Sequence, residues 1–447
     1  MNQRKPYLNK LIYTMTLAFP IITTAPGKVI ISGEHSAVYG KDVVASAVKN
    51  LRCYLLVEDI SDVNKENVNT NHDIELDFPD LDLKCLWNIE NDLGSIINNK
   101  ENHIPSNAFT TFNQHLSDDI ELFLKNNSIY KESHLSHLHH SASHVFLYLL
   151  LHIAPKIKNK RFIMKSNVPV GAGLGSSAAV SVCLAQALLY CINSEYNHDL
   201  KTINDLSLLG EKCVHGTPSG IDNAVATYGK AIILTTHTSN EGKVKNLKVM
   251  DSFPESLNML LINTKIPKST KTLVANVKRL YEQDTTMISS ILEAMHRCTQ
   301  GILSQFELIK KLEDEKTDEY KDTLNALFES VRVNHGLLSS IGVSHPGLEK
   351  VKILSDELKI GGTKLTGAGG GGCAMTILDP YASEKTVDEF KGSLSDLYGY
   401  DVYKSQLGGT GAYLIDADKI SEEILLDFER NTKIHGETIK LIDSLIP

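Results

Sequence analysis

No run of 18 consecutive apolar residues occurs in this 447-residue chain, which excludes an ordinary membrane-spanning helix. No basic block breaks the balance of 45 Lys+Arg against 54 Asp+Glu, a net charge of -9. Nucleic acid is therefore not expected as a principal partner, and neither is a membrane. The seven cysteines (Cys53, Cys85, Cys183, Cys191, Cys213, Cys298 and Cys373) form no CxxC pair and no cluster with metal-ligand spacing. That usage suits reduced thiols, so a cytoplasmic location is expected. No GxxxxGK[ST] segment and no internal repeat is found. What is present is average: 42% apolar and 22% charged residues exclude a collagen, a coiled coil and a wholly disordered chain. The length exceeds what one ordinary core serves, so two domains are expected.

Residues 1–20 carry Arg4, Lys5 and Lys10 without an acid and read as an N-terminal extension, with targeting as the alternative. Ile21–Thr24 reads as a first strand, and Lys28–Ser32, Arg52–Glu58 and Asp73–Phe78 as the next, with a polar loop over 64–71. Residues 88–117 are Asn-rich and read as irregular. Helical spacing is read over 134–152, Ala178–Cys191 and Leu200–His215, with strands at Arg161–Ser166 and Ala231–Thr235. The weakly patterned stretch 236–246 is the expected boundary, dividing 21–240 from 241–447. Beyond it, long amphipathic helices are read over 271–312 and 319–341. Further helices are read at Leu348–Leu358 and Ser383–Leu397, and strands at Thr363–Thr366, Ala374–Leu378 and Ala412–Ile415. Strands and helices intermingle without regular βαβ alternation, so the expected class is α+β in both halves.

Four segments stand out. In Pro169-Val-Gly-Ala-Gly-Leu-Gly-Ser-Ser-Ala178, between a strand and a helix, glycines let backbone N–H groups approach phosphate oxygens, and a helix start favours an anion. It is not GxGxxG, because position 176 is Ser. Ser176 and Ser177 suit helix capping as well as phosphate or metal contact. In Lys364-Leu-Thr-Gly-Ala-Gly-Gly-Gly-Gly-Cys373, four successive glycines exceed what a turn needs, and close approach to a ligand would explain them. In Glu211-Lys-Cys-Val-His-Gly-Thr-Pro-Ser-Gly-Ile-Asp222, Ser219-x-x-Asp222 resembles a capping box, and Glu211 suits a solvated helix surface. The competing reading gives one carboxylate a metal and the other a proton. Near the start, Ala25-Pro-Gly-Lys-Val-Ile-Ile-Ser-Gly-Glu-His35 places Lys28 at a strand entry and Glu34-His35 just past the strand. The histidines of 134–144 put His140 and His144 on one helix face at i, i+4. No HExxH glutamate accompanies them, so surface and core histidines are expected rather than zinc ligands.

Taken together and in this order, APGKVIISGEH, PVGAGLGSSA, HGTPSGIDNA and KLTGAGGGGC resemble the galactokinase, homoserine kinase, mevalonate kinase and phosphomevalonate kinase superfamily. The likeness is strongest to its eukaryotic mevalonate kinases and runs from about residue 22 to 415. It implies an N-terminal domain like the second domain of ribosomal protein S5, a ferredoxin-like C-terminal domain, and an active site in the cleft between them. It implies ATP as co-substrate, with Lys28, Ser166, Gly171, Ala172, Gly173, Leu174, Gly175, Ser176 and Ser177 around the nucleotide. Ser177 and Glu211 would hold Mg²⁺, Asp222 would be the catalytic base with Lys28 beside it, and Glu34, His35, Thr270, Gly369 and Gly370 would line the mevalonate pocket. Asp80 stands where some relatives have Asn near the nucleotide. A homodimer and inhibition by prenyl diphosphates are also implied. The GKVIISGEH form differs from the arginine-containing motif of galactokinases, and homoserine kinases typically lack the base that Asp222 provides. A nucleotide-dependent sensor without turnover would need no such base.

Overall fold

The computed structural model describes residues 17–60, 72–103, 110–127, 135–169, 171–239, 242–251, 253–254 and 256–447. The basic segment 1–16, the polar loop read at 64–71 and His134 lie outside the described residues. Two sheets organise the chain. In the first, β1 (Ile21–Ser32) lies between β12 (Tyr413–Ile415) and the long β2 (Val43–Asp59). Next to β2 come β5 (Lys160–Ser166), β3 (Ile74–Phe78) and β4 (Leu83–Trp87), and all these neighbours are antiparallel except β3 with β5. The first half of β2 also pairs with β6 (Ala231–Ser239), which turns back into β7 (Gly242–Val249).

Two strands were read around Pro26; the structure has one. Proline has no N–H to give the ladder, so the register slips at Pro26/Gly27, but pairing with β2 carries on to Ser32. Within the stretch 236–246, expected as a boundary, residues 236–239 and 242–246 lie in the paired strands β6 and β7, with Thr235 opposite Asn246. Its polar residues sit on an edge ladder, where periodicity in burial is weak.

On one face of this sheet lie α1 (Gly94–Ile97), α2 (Gln114–Asn126), α3 (Ser136–Ile153), α4 (Ser176–Cys191), α5 (Leu200–His215) and α6 (Ile221–Tyr228). Of these, α4 is apolar all round and nearly all its residues from Ala178 to Leu189 are buried, as a central helix requires. The Asn-rich stretch read as irregular contributes α1 and the start of α2, whose N-cap is Asn113, accepting from Leu116 N at 3.1 Å.

The second sheet runs β11 (Asp401–Gln406), β8 (Asn258–Asn263), β10 (Cys373–Leu378), β9 (Gly361–Leu365), antiparallel throughout. Strands β8 and β11 were not read from the sequence. Helices α7 (Thr270–Gln283), α8 (Thr285–Leu312), α9 (Asp318–Ser340), α10 (Pro346–Leu358) and α11 (Glu384–Tyr398) accompany it. The single helix read over 271–312 is broken at Asp284, whose carboxylate caps α8 by accepting from Met287 N at 2.9 Å. Two last helices, α12 (Glu422–Arg430) and α13 (Gly436–Ser444), return to the first sheet. Ile424, Phe428 and Ile442 cover Ile22, Tyr54, Leu56 and Ile163 on the face away from α4.

The two sheets are joined by buried polar contacts. Ser32 Oγ lies 2.8 Å from Thr299 Oγ1 on α8 and accepts from Asn334 Nδ2 on α9 at 3.2 Å. Thr366 Oγ1 donates to Ile30 O at 2.9 Å and accepts from Ile30 N at 3.1 Å, filling the irregularity in β1. Among the described residues no helix is long and apolar enough to cross a membrane, and the seven cysteines are free thiols.

Candidate active site

The loop between β5 and α4 alternates. Gly171 and Gly173 are exposed, while Ala172 and Leu174 are buried and anchor the turn. Gly171, Gly173 and Gly175 all have positive φ (72°, 82° and 71°), a conformation that turns successive amides to one side and forms an anion-binding concavity. Leu174 O accepts from Lys28 N at 2.7 Å, so the loop rests on β1. Gly175 is the N-cap of α4 and no side chain caps this helix. The expected serine cap is absent because Ser177 Oγ donates to Glu211 Oε1 instead. The first amides of a 16-residue helix are thus left to face the loop's concavity.

Glu211 is 4% exposed in the last turn of α5, which Asp199 caps at its start and Gly216 ends. It is not a solvated carboxylate. Burial pushes its carboxyl above the ordinary range and so does Asp222; the Ser177 hydroxyl, His215 and Lys28 pull the other way. Asp222 is in the first turn of α6, where the N-cap is Gly220 and not Ser219. The capping-box reading therefore fails, since Gly220 in the left-handed conformation starts the helix one residue late. Asp222 Oδ1 lies 3.2 Å from Lys28 Nζ, and Lys28 is 6% exposed, not solvent-facing as an isolated lysine would be.

Glu34 and His35 lie past the end of β1. Glu34 pairs with Lys364 of β9, both buried, and Lys364 Nζ also donates to Leu365 O at 2.7 Å. Glu34 Oε2 is buried without a partner, a group that awaits a donor. His35 has φ 60° and ψ −44°, a strained γ-turn geometry, and its Nε2 is 2.8 Å from Ala368 O. The second glycine loop is thereby stitched to β1. Its glycines answer first to packing: a Cβ on Gly369 would stand 2.0 Å from Val343 O. Gly370 N donates to Val343 O at 2.8 Å, so this amide is committed within the protein.

Ser166 closes β5. Its N–H donates to Asp80 Oδ2 at 2.7 Å, and its hydroxyl accepts from Val168 N at 3.0 Å and meets Cys53 Sγ at 3.3 Å. Thr270 is exposed in the first turn of α7. The contact with the nucleotide loop comes from Lys268, which the sequence reading passed over. Its Nζ is 3.5 Å from Ala172 O, and a Cβ on Gly173 or Gly372 would meet it at 2.9 or 2.7 Å. Burial pushes this ammonium below its ordinary pKa, and Lys28 adds to the effect. A lysine immediately before a helix N-cap opposes the helix dipole, and that was the available signal. On α3, His140 Nε2 and His144 Nδ1 face Glu121 Oε2 at 3.3 and 3.4 Å, and His139 Nε2 is 2.6 Å from Leu81 O. Among the described residues no group of three or more His, Cys, Asp or Glu is placed to hold a metal.

The glycine-rich loop between β5 and α4 and the second glycine loop between β9 and β10 thus meet around Lys268. Residues 141–230 match the family description "GHMP kinases N terminal domain" and residues 307–398 match "GHMP kinases C terminal". The mevalonate kinase of Saccharomyces cerevisiae is 41% identical over 425 residues, 91% of this chain and 92% of that protein. That of Candida albicans is 40% identical over 427 residues, 90% and 93%. The crystal structure of the Methanococcus jannaschii mevalonate kinase matches with a TM-score of 0.60 at 20% identity, over 87% of this chain and 99% of that one. The chain belongs to the mevalonate kinase family.

Proposed function

We infer that this protein transfers the γ-phosphoryl group of ATP to the 5-hydroxyl of (R)-mevalonate, giving 5-phosphomevalonate and ADP in isoprenoid and sterol synthesis. The observation that carries this is the Lys28–Asp222 ion pair, 3.2 Å long, on the strand that also supports the glycine loop through Lys28 N. Residues Gly171 to Ser177 would receive the phosphates on backbone amides, with Ser166 at the root of the loop. Lys268 supplies a further cation where charge accumulates on the transferred group. Asp222 accepts the hydroxyl proton as the new P–O bond forms, while Lys28, 3.2 Å away, steadies the developing alkoxide. The buried Glu34 Oε2, with His35 and the exposed Thr270, would meet the acceptor.

Ser177 Oγ and Glu211 offer the hard oxygen donors that Mg²⁺ takes, and two protein ligands suffice because ATP oxygens and water fill the remaining positions. Bound there, the ion would neutralise phosphate charge. The reading puts the reaction in a cleft between an S5-like N-terminal domain, residues 21–240, and a ferredoxin-like domain, residues 241–447. The motif resemblance supports two further parts of the proposal, a homodimer and inhibition by prenyl diphosphates that rising ATP relieves, since backbone amides recognise a diphosphate without requiring adenine; the scattered thiols support a cytoplasmic location.

ADP release is the test, with mevalonate, phosphomevalonate, galactose and homoserine offered in turn. Turnover with mevalonate alone is expected. Asp222→Asn should retain ATP binding and lower kcat by about 10²–10⁴-fold. A variant keeping more than about a tenth of kcat would overturn the base assignment.

A further inference from the structure

We propose that the root of the nucleotide loop, Lys165 to Asn167, is a positioning element held by buried polar clamps, in which the C-terminal helical layer α12–α13 fixes Lys165, Asp80 fixes Ser166 and Arg52 fixes Asn167. The inference rests on the reading of Gly171–Ser177 as the phosphate cradle. Each root residue is held separately. Lys165 is fully buried, and its Nζ donates to Asp427 O and Asn431 O, both at 2.6 Å. Both carbonyls lie in the last turn and C-cap of α12, the end of the helix dipole where a cation is favoured. Ser166 N–H is held by Asp80, as described above. Asn167 Oδ1 accepts from Arg52 N at 2.6 Å, and its Nδ2 donates to Asn50 O at 2.8 Å. Arg52, 2% exposed, is itself clamped: its guanidinium donates to Thr410 O and Gly411 O at 2.7 Å and to Thr24 Oγ1 at 2.9 Å.

These contacts do more than attach the tail. Ile22, Leu56, Ile163, Ile424, Phe428 and Ile442 already give it an apolar seat. A buried ammonium is expensive to desolvate, and an apolar residue of similar size would often serve stability as well or better. What Lys165 adds is direction, because it must meet two fixed carbonyls. Side chains of β2 and β5 alternate: Tyr54, Ile163 and Lys165 face the tail, whereas Cys53, Met164 and Ser166 face α4. The tail therefore grips the strand from behind, one residue before the chain turns into the loop.

The test is steady-state kinetics with ATP varied, together with thermal melts, on the full chain. Lys165→Met and Asn167→Ala should each raise the KM for ATP roughly tenfold, with kcat and the KM for mevalonate within about twofold of the parent. Asn167→Asp keeps the acceptor for Arg52 N and should recover most of the ATP KM. A lower Tm with an unchanged ATP KM in both Lys165→Met and Asn167→Ala would overturn the proposal. If Lys165→Met does not fold, the half-exposed Asn167 decides. Gly173→Ala separates the two levels of inference, since its methyl would stand 2.9 Å from Lys268 Nζ at φ 82°. If it raises the ATP KM while the root variants do not, the positioning role alone falls. If it leaves the ATP KM unmoved, the cradle reading falls and the proposal with it.

Discussion

Lys28 is a buried lysine whose ammonium meets Asp222 and whose backbone N–H holds Leu174 of the nucleotide loop. One residue thus couples Asp222 to the glycine loop. Lys268 approaches the same loop from the other sheet, and repulsion from Lys28 adds to the burial that lowers its pKa. A bound triphosphate would relieve that repulsion. Lys268→Met should therefore lower kcat/KM for ATP by about 10–10³-fold while leaving Tm within a few degrees, since the lost group is a charge and not packing. Initial rates against ATP concentration check this. An unchanged kcat/KM would remove Lys268 from the site.

At the scale of elements, each of the four glycine-marked motifs sits at an end of a strand or helix, where backbone groups are unpaired. The elements themselves were largely legible. Leu200–His215 was read at its observed bounds, because Asp199 caps it, Gly216 ends it and its buried face repeats at helical spacing. The caps of α4 and α6 were not legible: local serines suit the rule, but a left-handed glycine takes the N-cap position in both.

The α2–α3 pair carries a pH dependence. His144 is 7% exposed and lies against Glu121, Ser117 and His140; Asp118 and Lys125 of α2 are the other charged groups facing this cluster. Burial holds His144 below the ordinary imidazole pKa, and Glu121 opposes this without reversing it. The unfolded chain therefore takes up a proton before the native one does. Stability should fall as pH drops from about 6.5 towards the lowered native value. His144→Gln should flatten that part of a Tm-against-pH curve; an unaltered slope would show that another group titrates there.

Across the whole molecule, the first and last strands of the described residues lie in one sheet. β12 flanks β1, and α12 and α13 cover the face that Ile22, Tyr54, Leu56 and Ile163 present. The last thirty residues, outside the motif resemblance, are a structural layer of the N-terminal half. A chain ending at Asp416 would expose those four side chains, each worth about 1.5–3 kcal/mol of burial, and strip Lys165 of its carbonyls. A fall in Tm of more than about 10 °C, or insolubility, is expected. A melt within about 2 °C of the full chain would contradict the layer's role.

The amino-acid sequence by itself determined the kinds of element, most of their bounds, the family and the residues that meet at Ser177, Glu211, Lys28 and Asp222. The elements follow from side-chain period and turn chemistry, which are local, whereas the family and those four residues are what the resemblance of the four motifs implies. The tertiary structure alone decided that Glu34 pairs with Lys364, that His35 reaches Ala368, that Lys268 joins the cradle and that the tail lies behind β5. A period states which face of an element is buried and not what buries it. Partners some 330 residues apart are chosen only when the two sheets close on one another and every buried charge and carbonyl must find its counterpart.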